Sequence, residues 1–460
     1  MKRQTQVAVL ATLMTATAWG QEVSLYGTTM AQMWKQETPG FDKATYTPAT
    51  QYLGIDATKL GTERLSLHLF GWGRTDLSDA STLDGSKSGG YLSYGYLQYR
   101  FEQANAEIKA GRFSVNQTTG WEQVDGVSAR TDLRGGFTVS AFAGKPVLYK
   151  TVDPVAQKDY EYQSDLIFGA RVGWRSGQAA EVGVSYLQDG SKAAKDLTIP
   201  SSTDYTRKQV GADVFLAPAS VFQFKGRTVF DIASHPAVAA GVEEPSRVAE
   251  HDYTATLKLG QQVTLAGNFA ERNFFAYFAG TNLPSLFRQD DKDKFQGHGA
   301  SLTWNASGAV VVVADYRHMH RETYGDVNRF GGEVRWANGE KTVQWGLGGH
   351  SVDATKTLVV DPAAPSHSLS HTEVRAWGMM EKGKFSASLD GILQTYKKDN
   401  PYLAGLSSLY EVVGSLGFQA TKNFKVSGDL SYGSTPVSKN ETRGLLRAEY
   451  RFGMASKGGR

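Results

Sequence analysis

Residues that could perform chemistry are sparse in this sequence. Of the nine His residues, the closest pairs are His318–His320 and His367–His371, and no carboxylate or thiolate at a suitable spacing completes a metal site around them. There is no Gly-x-Ser-x-Gly elbow and no glycine-rich phosphate loop. There is also no Cys, so the chain itself cannot attach a c-type haem. We therefore expect no enzyme activity, no metal site and no cofactor.

The remaining chemical signal is a set of charged residues that alternate with apolar ones. They are the candidate lumen-lining residues Arg100, Lys109, Arg171, Arg175, Lys225, Arg227, Arg317, Arg335, Arg375, Arg447, Glu107, Glu181, Asp315 and Glu333. Charges on one face of a membrane strand are tolerated where that face is wet or where the charges are paired. For any single residue, a salt bridge to a neighbouring strand is the alternative interpretation. Together they predict a hydrated interior, and the near balance of signs predicts weak ion selectivity, mildly in favour of anions.

The elements that would position these residues are β-strands. From Val23 onward, segments of about ten alternating residues are followed by a break. In the segment 165–175, for example, Leu166, Phe168, Val172 and Trp174 share one face, because side chains two apart in a strand point the same way. Hydrophobic residues make up only 40% of the chain, and no apolar run is long enough for a membrane-spanning helix. A soluble β-sandwich is the main alternative fold.

The breaks favour a membrane barrel over a sandwich. Short breaks recur at positions such as Ser176-Gly177-Gln178, Ala217-Pro218-Ala219 and Lys382-Gly383, with compositions typical of tight turns. Longer polar segments lie between them at 35–50, 75–90, 145–164, 189–206, 233–248, 276–294, 354–370 and 398–407. Alternation of short periplasmic turns with long extracellular loops is typical of a transmembrane antiparallel up-and-down β-barrel. The pattern predicts an all-β barrel of about 22 strands, with 20 or 24 as alternatives.

The N-terminus predicts export. Lys2 and Arg3 precede an apolar run, and Ala18-Trp19-Gly20 supplies small residues for cleavage. We expect a signal peptide at 1–20, an outer-membrane β-barrel at 21–453 and a short periplasmic tail at 454–460, with both termini in the periplasm of a Gram-negative cell. The expected partners are outer-membrane lipids and lipopolysaccharide. A net charge of +3 gives no indication of nucleic-acid binding.

Aromatic residues near the predicted strand ends suggest interface girdles. The set comprises Tyr26, Trp34, Tyr91, Tyr99, Phe101, Trp174, Tyr186, Trp304, Tyr316, Trp336, Tyr432, Tyr450 and Phe452. A general preference of aromatic residues for strands is the alternative explanation.

A barrel of this size needs something to narrow it. About 22 strands imply a bore on the order of 25 Å after side chains are allowed for. Because strand-like alternation starts at Val23, we expect no plug domain before the barrel. The segment 145–164 is the candidate constriction loop, with Lys150, Asp153 and Lys158 as its charged residues.

Part of the chain resembles a known group of proteins. The residues that carry the resemblance are Gly111-Arg112-Phe113, Val124-Asp125-Gly126-Val127, Asp132 to Phe137 and Ala141 to Pro146. They are similar to outer-membrane porins of metal-respiring anaerobic bacteria. Some members of that group form the barrel of porin–cytochrome conduits, in which a multihaem c-type cytochrome threads the lumen. The resemblance implies an outer-membrane barrel and leaves two functions open, a porin-like channel for small solutes or ions and a sheath for such a cytochrome.

Overall fold

The structure, a computed structural model, describes residues 22–36, 44–78, 87–102, 105–147, 163–192, 207–232, 247–273, 294–321, 325–355, 370–397, 406–435 and 438–455. The expected signal peptide at 1–20 lies outside these residues. In the described part of the chain, no helix combines the length and apolarity needed to cross a membrane.

The described residues form a closed antiparallel barrel of 22 strands, which confirms the predicted fold. The strands are β1 (Glu22–Gln36), β2 (Ala44–Tyr46 and Pro48–Thr58), β3 (Leu65–Asp76), β4 (Ser88–Phe101), β5 (Ala106–Gln117), β6 (Gly120–Asp132), β7 (Phe137–Pro146), β8 (Gln163–Ser176), β9 (Ala180–Lys192), β10 (Arg207–Ala219), β11 (Phe222–Asp231), β12 (Val248–Leu259), β13 (Val263–Asn273), β14 (Lys294–Asn305), β15 (Val310–Arg321), β16 (Gly325–Ala337), β17 (Val343–Ala354), β18 (His371–Lys382), β19 (Phe385–Tyr396), β20 (Ser408–Thr421), β21 (Phe424–Thr435) and β22 (Ser438–Ala455).

Each strand pairs with the next along the chain, and the last pairs with the first. The closing register runs from Glu22 opposite Ala455 to Trp34 opposite Arg443. Both segments of β2 pair with β1, so they count as one strand interrupted at Thr47. The last strand reaches Ala455, two residues beyond the position 453 at which we expected the barrel to end. Closure pairs the first strand with the last, so neither of them is an edge strand.

The two ends of the barrel differ. At one end the strands are joined by tight connections such as 177–179, 260–262 and 383–384, where Gly260 and Gly383 take positive φ angles of 72° and 60°. At the other end most connections are the longer segments that the sequence indicated. One described connection there, at 118–119, is nevertheless tight, so the expected alternation is not strict.

The two faces of the barrel wall also differ. One face carries exposed apolar side chains, among them Leu446 at 66% and Phe330 at 66% exposure. An exposed apolar band marks the outer face of a membrane barrel, so the opposite, charged face is the inner one. Tyr26 lies on the inner face, where it is paired in register with Arg451 and contacts Phe70. Its assignment to an outer girdle was therefore wrong.

Candidate functional site

The inner face carries the charged residues on which the sequence analysis focused. Most of the candidate lumen-lining residues alternate with outward apolar neighbours: Arg171 with Val172, Arg317 with Tyr316, and Arg447 with Leu446, for instance. They are spread around the barrel from β4 to β22. The structure therefore distributes them along the wall and does not gather them into one pocket.

One cluster of ion pairs lies on β8–β10. Arg171 Nη2 donates to Asp213 Oδ2 at 2.6 Å and to Glu181 Oε1 at 3.2 Å, and Arg175 lies 3.6 Å from Glu181. The Arg171 side chain crosses Gly183 on the strand between, which leaves room because it has no side chain of its own. This cluster joins three strands on the lumen side. The alternation in the sequence predicts inward positions for Arg171, Glu181 and Asp213, but it does not predict that Arg171 contacts Asp213.

A second cluster lies across β15–β18. Arg329 bridges Asp315 at 2.9 Å and Glu373 at 3.6 Å, and His350 Nε2 lies 2.9 Å from the same Asp315. Nearby, Arg335 pairs with Glu333 at 2.6 Å. Most of the charged side chains on these strands are thus held in ion pairs, either across strands or within one strand.

The same wall carries further pairs. Arg375 pairs with Asp390 at 2.6 Å, Arg227 with Glu250 at 2.7 Å, Lys109 with Glu107 at 3.3 Å and Arg447 with Asp429 at 3.7 Å.

Several inner cations have no such partner. Within the described residues, Arg100, Lys225 and Arg317 form no ion pair within 4.0 Å, and all three are exposed. Unpaired, exposed cations give the lumen surface a local positive potential to which anions respond. Among the residues that the structure describes, no three or more His, Asp or Glu side chains cluster in a way that could hold a metal ion.

Among the described residues, the hairpin between β5 and β6 departs from a plain barrel wall. Pairing of β4 with β5 stops at Gly95 opposite Arg112, and pairing of β6 with β7 stops at Val124 opposite Pro146. Pairing of β5 with β6 continues to Gln117 opposite Gly120. Residues 113–123, here called the ribbon, therefore form a two-stranded projection that has left the wall.

The ribbon folds into the lumen. Its tip residue Thr118 donates a hydrogen bond to Asp213 in the middle of β10, and Ser185 of β9 donates to Thr118 Oγ1 at 2.8 Å. Thr118 also packs over Gly211, where a Cβ would lie only 3.0 Å from the Thr118 side chain. The tip is thus held against the inner wall four strands away from the base of the ribbon, and it shares Asp213 with the Arg171 cluster.

An apolar cluster holds the rest of the ribbon down. Phe113 and Val124 at its base pack with Phe142, Ile167 and Leu187 of β7, β8 and β9, and all five are at least 95% buried. Burial of each such side chain stabilises by roughly 1.5–3 kcal/mol. A lumen wall that faced only water would not carry this cluster, so the ribbon is a packed part of the structure.

A row of glycines lets the hairpin bend away from the wall. Gly111 of β5 lies opposite Gly126 of β6, which lies opposite Gly144 of β7. Gly111 has a φ of 124°, a conformation open to Gly and costly for other residues. A Cβ at Gly126 would overlap the Ala143 carbonyl oxygen and the Gly144 Cα. The backbones therefore approach more closely here than side chains would allow.

An ion pair braces the base of the ribbon. Arg112 binds Asp125 through two hydrogen bonds of 2.7 Å, and its third nitrogen donates to the Leu92 carbonyl at 2.9 Å. The Leu92 carbonyl lies beside the point at which β5 leaves β4, so the guanidinium replaces a strand partner there. Tyr91 completes the brace, with its ring centroid 5.2 Å from the guanidinium carbon.

We expect Gly126→Ala to loosen the ribbon. The added methyl meets backbone atoms that cannot rotate away, so the strands must separate at the bend, at a cost of about 1–3 kcal/mol. Gly444→Ala is the matched control, because a Cβ there meets nothing within 4 Å. Urea unfolding in lipid vesicles and proteolysis between residues 113 and 123 measure the effect. Equal stability of the two variants would contradict the close approach described here.

The ribbon is a lumen segment that we did not predict, whereas the predicted constriction loop at 145–164 stays a prediction. The candidate residues Lys150, Asp153 and Lys158 lie outside the described residues, and the described ends of 145–164 are wall strands β7 and β8. The signal that could have identified the ribbon is the two-residue connection Thr118-Thr119 at the end where loops are mostly long, followed by Gly120.

Comparison with known proteins supports the fold. No protein-family model matches the sequence, and no curated protein matches it. The ferric enterobactin receptor PfeA of Pseudomonas aeruginosa aligns over 93% of this chain and 81% of its own, with a TM-score of 0.57 and 11% identity. The siderophore receptor PirA of Acinetobacter baumannii aligns over 93% and 80%, with a TM-score of 0.55 and 10% identity. The outer membrane protein OpdK of P. aeruginosa aligns over 94% and 99%, with a TM-score of 0.42 and 9% identity.

At this level of identity the similarity to the two receptors concerns the fold. The chain has the closed antiparallel barrel of outer-membrane proteins.

Proposed function

We propose that this chain is an outer-membrane channel, with its tight turns in the periplasm, that passes small solutes or ions and has no enzyme activity. The observation that carries the proposal is the ribbon, a packed hairpin inside a barrel whose wall is lined with charges. A protein that needed only a closed structural shell would have no use for a constriction.

The charged inner wall supports a water-filled path. Side chains such as Arg375 and Asp390 pair with each other while remaining at least one-third exposed. Ionised side chains that are paired but still exposed need water beside them, since burying a charge away from solvent costs several kcal/mol per ion. The wall thus offers a polar surface along which hydrated solutes can move.

The size of the barrel supports a role for the ribbon in narrowing this path. Twenty-two strands spaced about 4.8 Å apart and tilted by about 40° give a backbone diameter of about 44 Å. An unobstructed lumen of that width would pass folded peptides and large metabolites. The ribbon covers the inner wall from β5 to β10 and so reduces the open cross-section on that side.

The channel is tested by electrical recording. Purified, folded protein in planar bilayers should give discrete current steps that grow in proportion to salt concentration, because hydrated ions carry the current. Folding is checked independently by the shift in gel mobility on heating that intact barrels show. Absence of current steps from folded protein would exclude an open channel.

The alternative is a barrel sheath for a multihaem c-type cytochrome. It is favoured by the width of the barrel, which has a backbone diameter of about 44 Å. Co-purification from native membranes would then bring a haem absorbance with the barrel. A haem-free barrel isolated together with its lipids would count against the sheath and leave the channel.

A further inference from the structure

The inner face of β1–β4 carries a group of aromatic side chains, here called the ring wall. It consists of Tyr26, Tyr52, Phe70, Tyr94 and Tyr96. Phe70 lies at its centre, with ring centroids 6.3 Å from Tyr26, 6.2 Å from Tyr52 and 5.5 Å from Tyr94 and interplanar angles of 15–19°. Four neighbouring strands thus present one continuous aromatic surface.

The ring wall faces the lumen. Tyr94 and Tyr96 alternate with the outward Leu97 on β4, and Tyr26 lies opposite the inward Arg451 on β22. The hydroxyl groups of Tyr26 and Tyr94 are 2.9 Å apart, so these two rings meet at their tips above the shorter Phe70. Each ring is only partly buried, and exposed aromatic surface inside a hydrated path is costly unless something contacts it.

Cations border this surface. The Arg451 guanidinium carbon lies 5.9 Å from the Tyr26 ring centroid, and the Lys109 ammonium lies 5.6 Å from the Tyr96 centroid. Lys109 is neutralised by Glu107 at 3.3 Å. Arg451 and Arg100 are exposed and have no carboxylate within 4.0 Å among the described residues. The donors of these two guanidinium groups are therefore available to a solute.

We infer that the ring wall and Arg451 form a binding site for a carboxylate that carries an aromatic ring, on the path past the ribbon. The inference rests on the proposed channel function and adds the class of solute. The ring of the solute packs against Tyr26 and Tyr94, which Phe70 supports from below, as aromatic pairs do at centroid separations of 4.5–7 Å. Its carboxylate accepts two hydrogen bonds from Arg451, the geometry that guanidinium groups favour.

Neither the ionic contact to Arg451 nor the aromatic contact to the ring wall is expected to bind a solute tightly on its own. A carboxylate without a ring, such as acetate, makes only the ionic contact, which water screens in an open lumen. A neutral ring, such as benzyl alcohol, makes only the aromatic contact. Benzoate makes both, and its ring and carboxylate are close enough together to reach Tyr26 and Arg451 at once.

The test measures how each probe blocks potassium chloride current through the reconstituted full chain. Benzoate should block at a concentration at least about tenfold lower than acetate or benzyl alcohol, since one additional contact of about 1.4 kcal/mol is a factor of ten. Arg451→Gln and Phe70→Leu should each raise the half-blocking concentration of benzoate about fivefold or more. Lys225→Gln is the matched control, because it removes an exposed, unpaired inner cation that lies on β11, away from the rings.

Equal block by the three probes, or an equal effect of Lys225→Gln and Arg451→Gln, would overturn the inference while leaving the channel in place. Absence of current would instead contradict the channel. In that case, calorimetric titration of benzoate into the detergent-solubilised barrel still tests whether the ring wall and Arg451 bind benzoate. Heat of binding that disappears in Phe70→Leu and Arg451→Gln would support it, and no heat from the unmodified chain would overturn it.

Discussion

Replacing residues 113–124 with the dipeptide Asn-Gly should raise the single-channel conductance about two- to threefold, because the ribbon would no longer occupy the lumen. Arg112 and Asp125 are direct cross-strand partners, so a two-residue type I′ turn can close the shortened hairpin between them. The paired strands 106–112 and 125–132 keep their neighbours in the wall. The measurement is the step size in planar bilayers at fixed salt.

Trp121→Ser is the control for this deletion. It alters an exposed ribbon residue, at 53% exposure, while leaving the apolar cluster and the tip contacts in place, so its conductance should stay close to that of the unmodified chain. The deletion also uncovers Phe142, Ile167 and Leu187, which lowers stability, so barrel integrity is confirmed by gel mobility before recording. A folded deletion variant with unchanged step size would show that the ribbon is not the narrowest part of the path.

The position of the ribbon tip can be verified independently. The chain has no native Cys, and the side-chain oxygens of Thr118 and Ser185 are 2.8 Å apart. The double variant Thr118→Cys, Ser185→Cys should therefore form a disulfide on mild oxidation, since two thiols at these positions can meet. The oxidised form should retain the low conductance of the unmodified chain, because the bond holds the tip where it already lies.

The barrel could be predicted from the sequence because its main signal is local. In β8, the alternation of Leu166, Phe168, Val172 and Trp174 with Gly and Arg fixes both the strand and its two faces within one segment. The charged face of the strands could be predicted from the same local alternation. Strand number followed from counting breaks, and an even number suits a barrel whose termini share one side.

The ribbon could not be predicted in the same way because it depends on where neighbouring strands stop pairing. Residues 113–123 alternate as a wall strand does, and the short connection Thr118-Thr119 marks a hairpin without showing whether it lies in the wall or folds over it. The bend is visible only when Gly111, Gly126 and Gly144 are aligned across three strands, and that alignment requires the register.

The partners in the ion pairs could not be predicted from the sequence for a related reason. Arg171 and Asp213 are 42 positions apart and lie two strands from each other. Their contact depends on the registers of β8 with β9 and of β9 with β10, together with the absence of a side chain at Gly183. Local alternation predicts which residues face inward, whereas the contacts between them depend on the register of several strands.

Leu446→Arg and Leu445→Arg should differ sharply in their effect on stability, although they change the same residue type at adjacent positions near the centre of β22. Leu446 points outward at 66% exposure, where an arginine near the middle of the lipid layer costs about 2–4 kcal/mol. Leu445 points inward and lies opposite Asp429. An arginine there gains a carboxylate partner in water, and the net change should stay within about 1 kcal/mol.

Urea titration of the barrel folded into phospholipid vesicles gives the two free energies of unfolding. A loss confined to Leu446→Arg requires lipid on one face of β22 and water on the other, which is the arrangement on which the channel and the benzoate site both depend. Similar losses in the two variants would mean that the inner face is dry at this level. The charged wall would then be a set of buried ion pairs, and neither ions nor carboxylates could move along it.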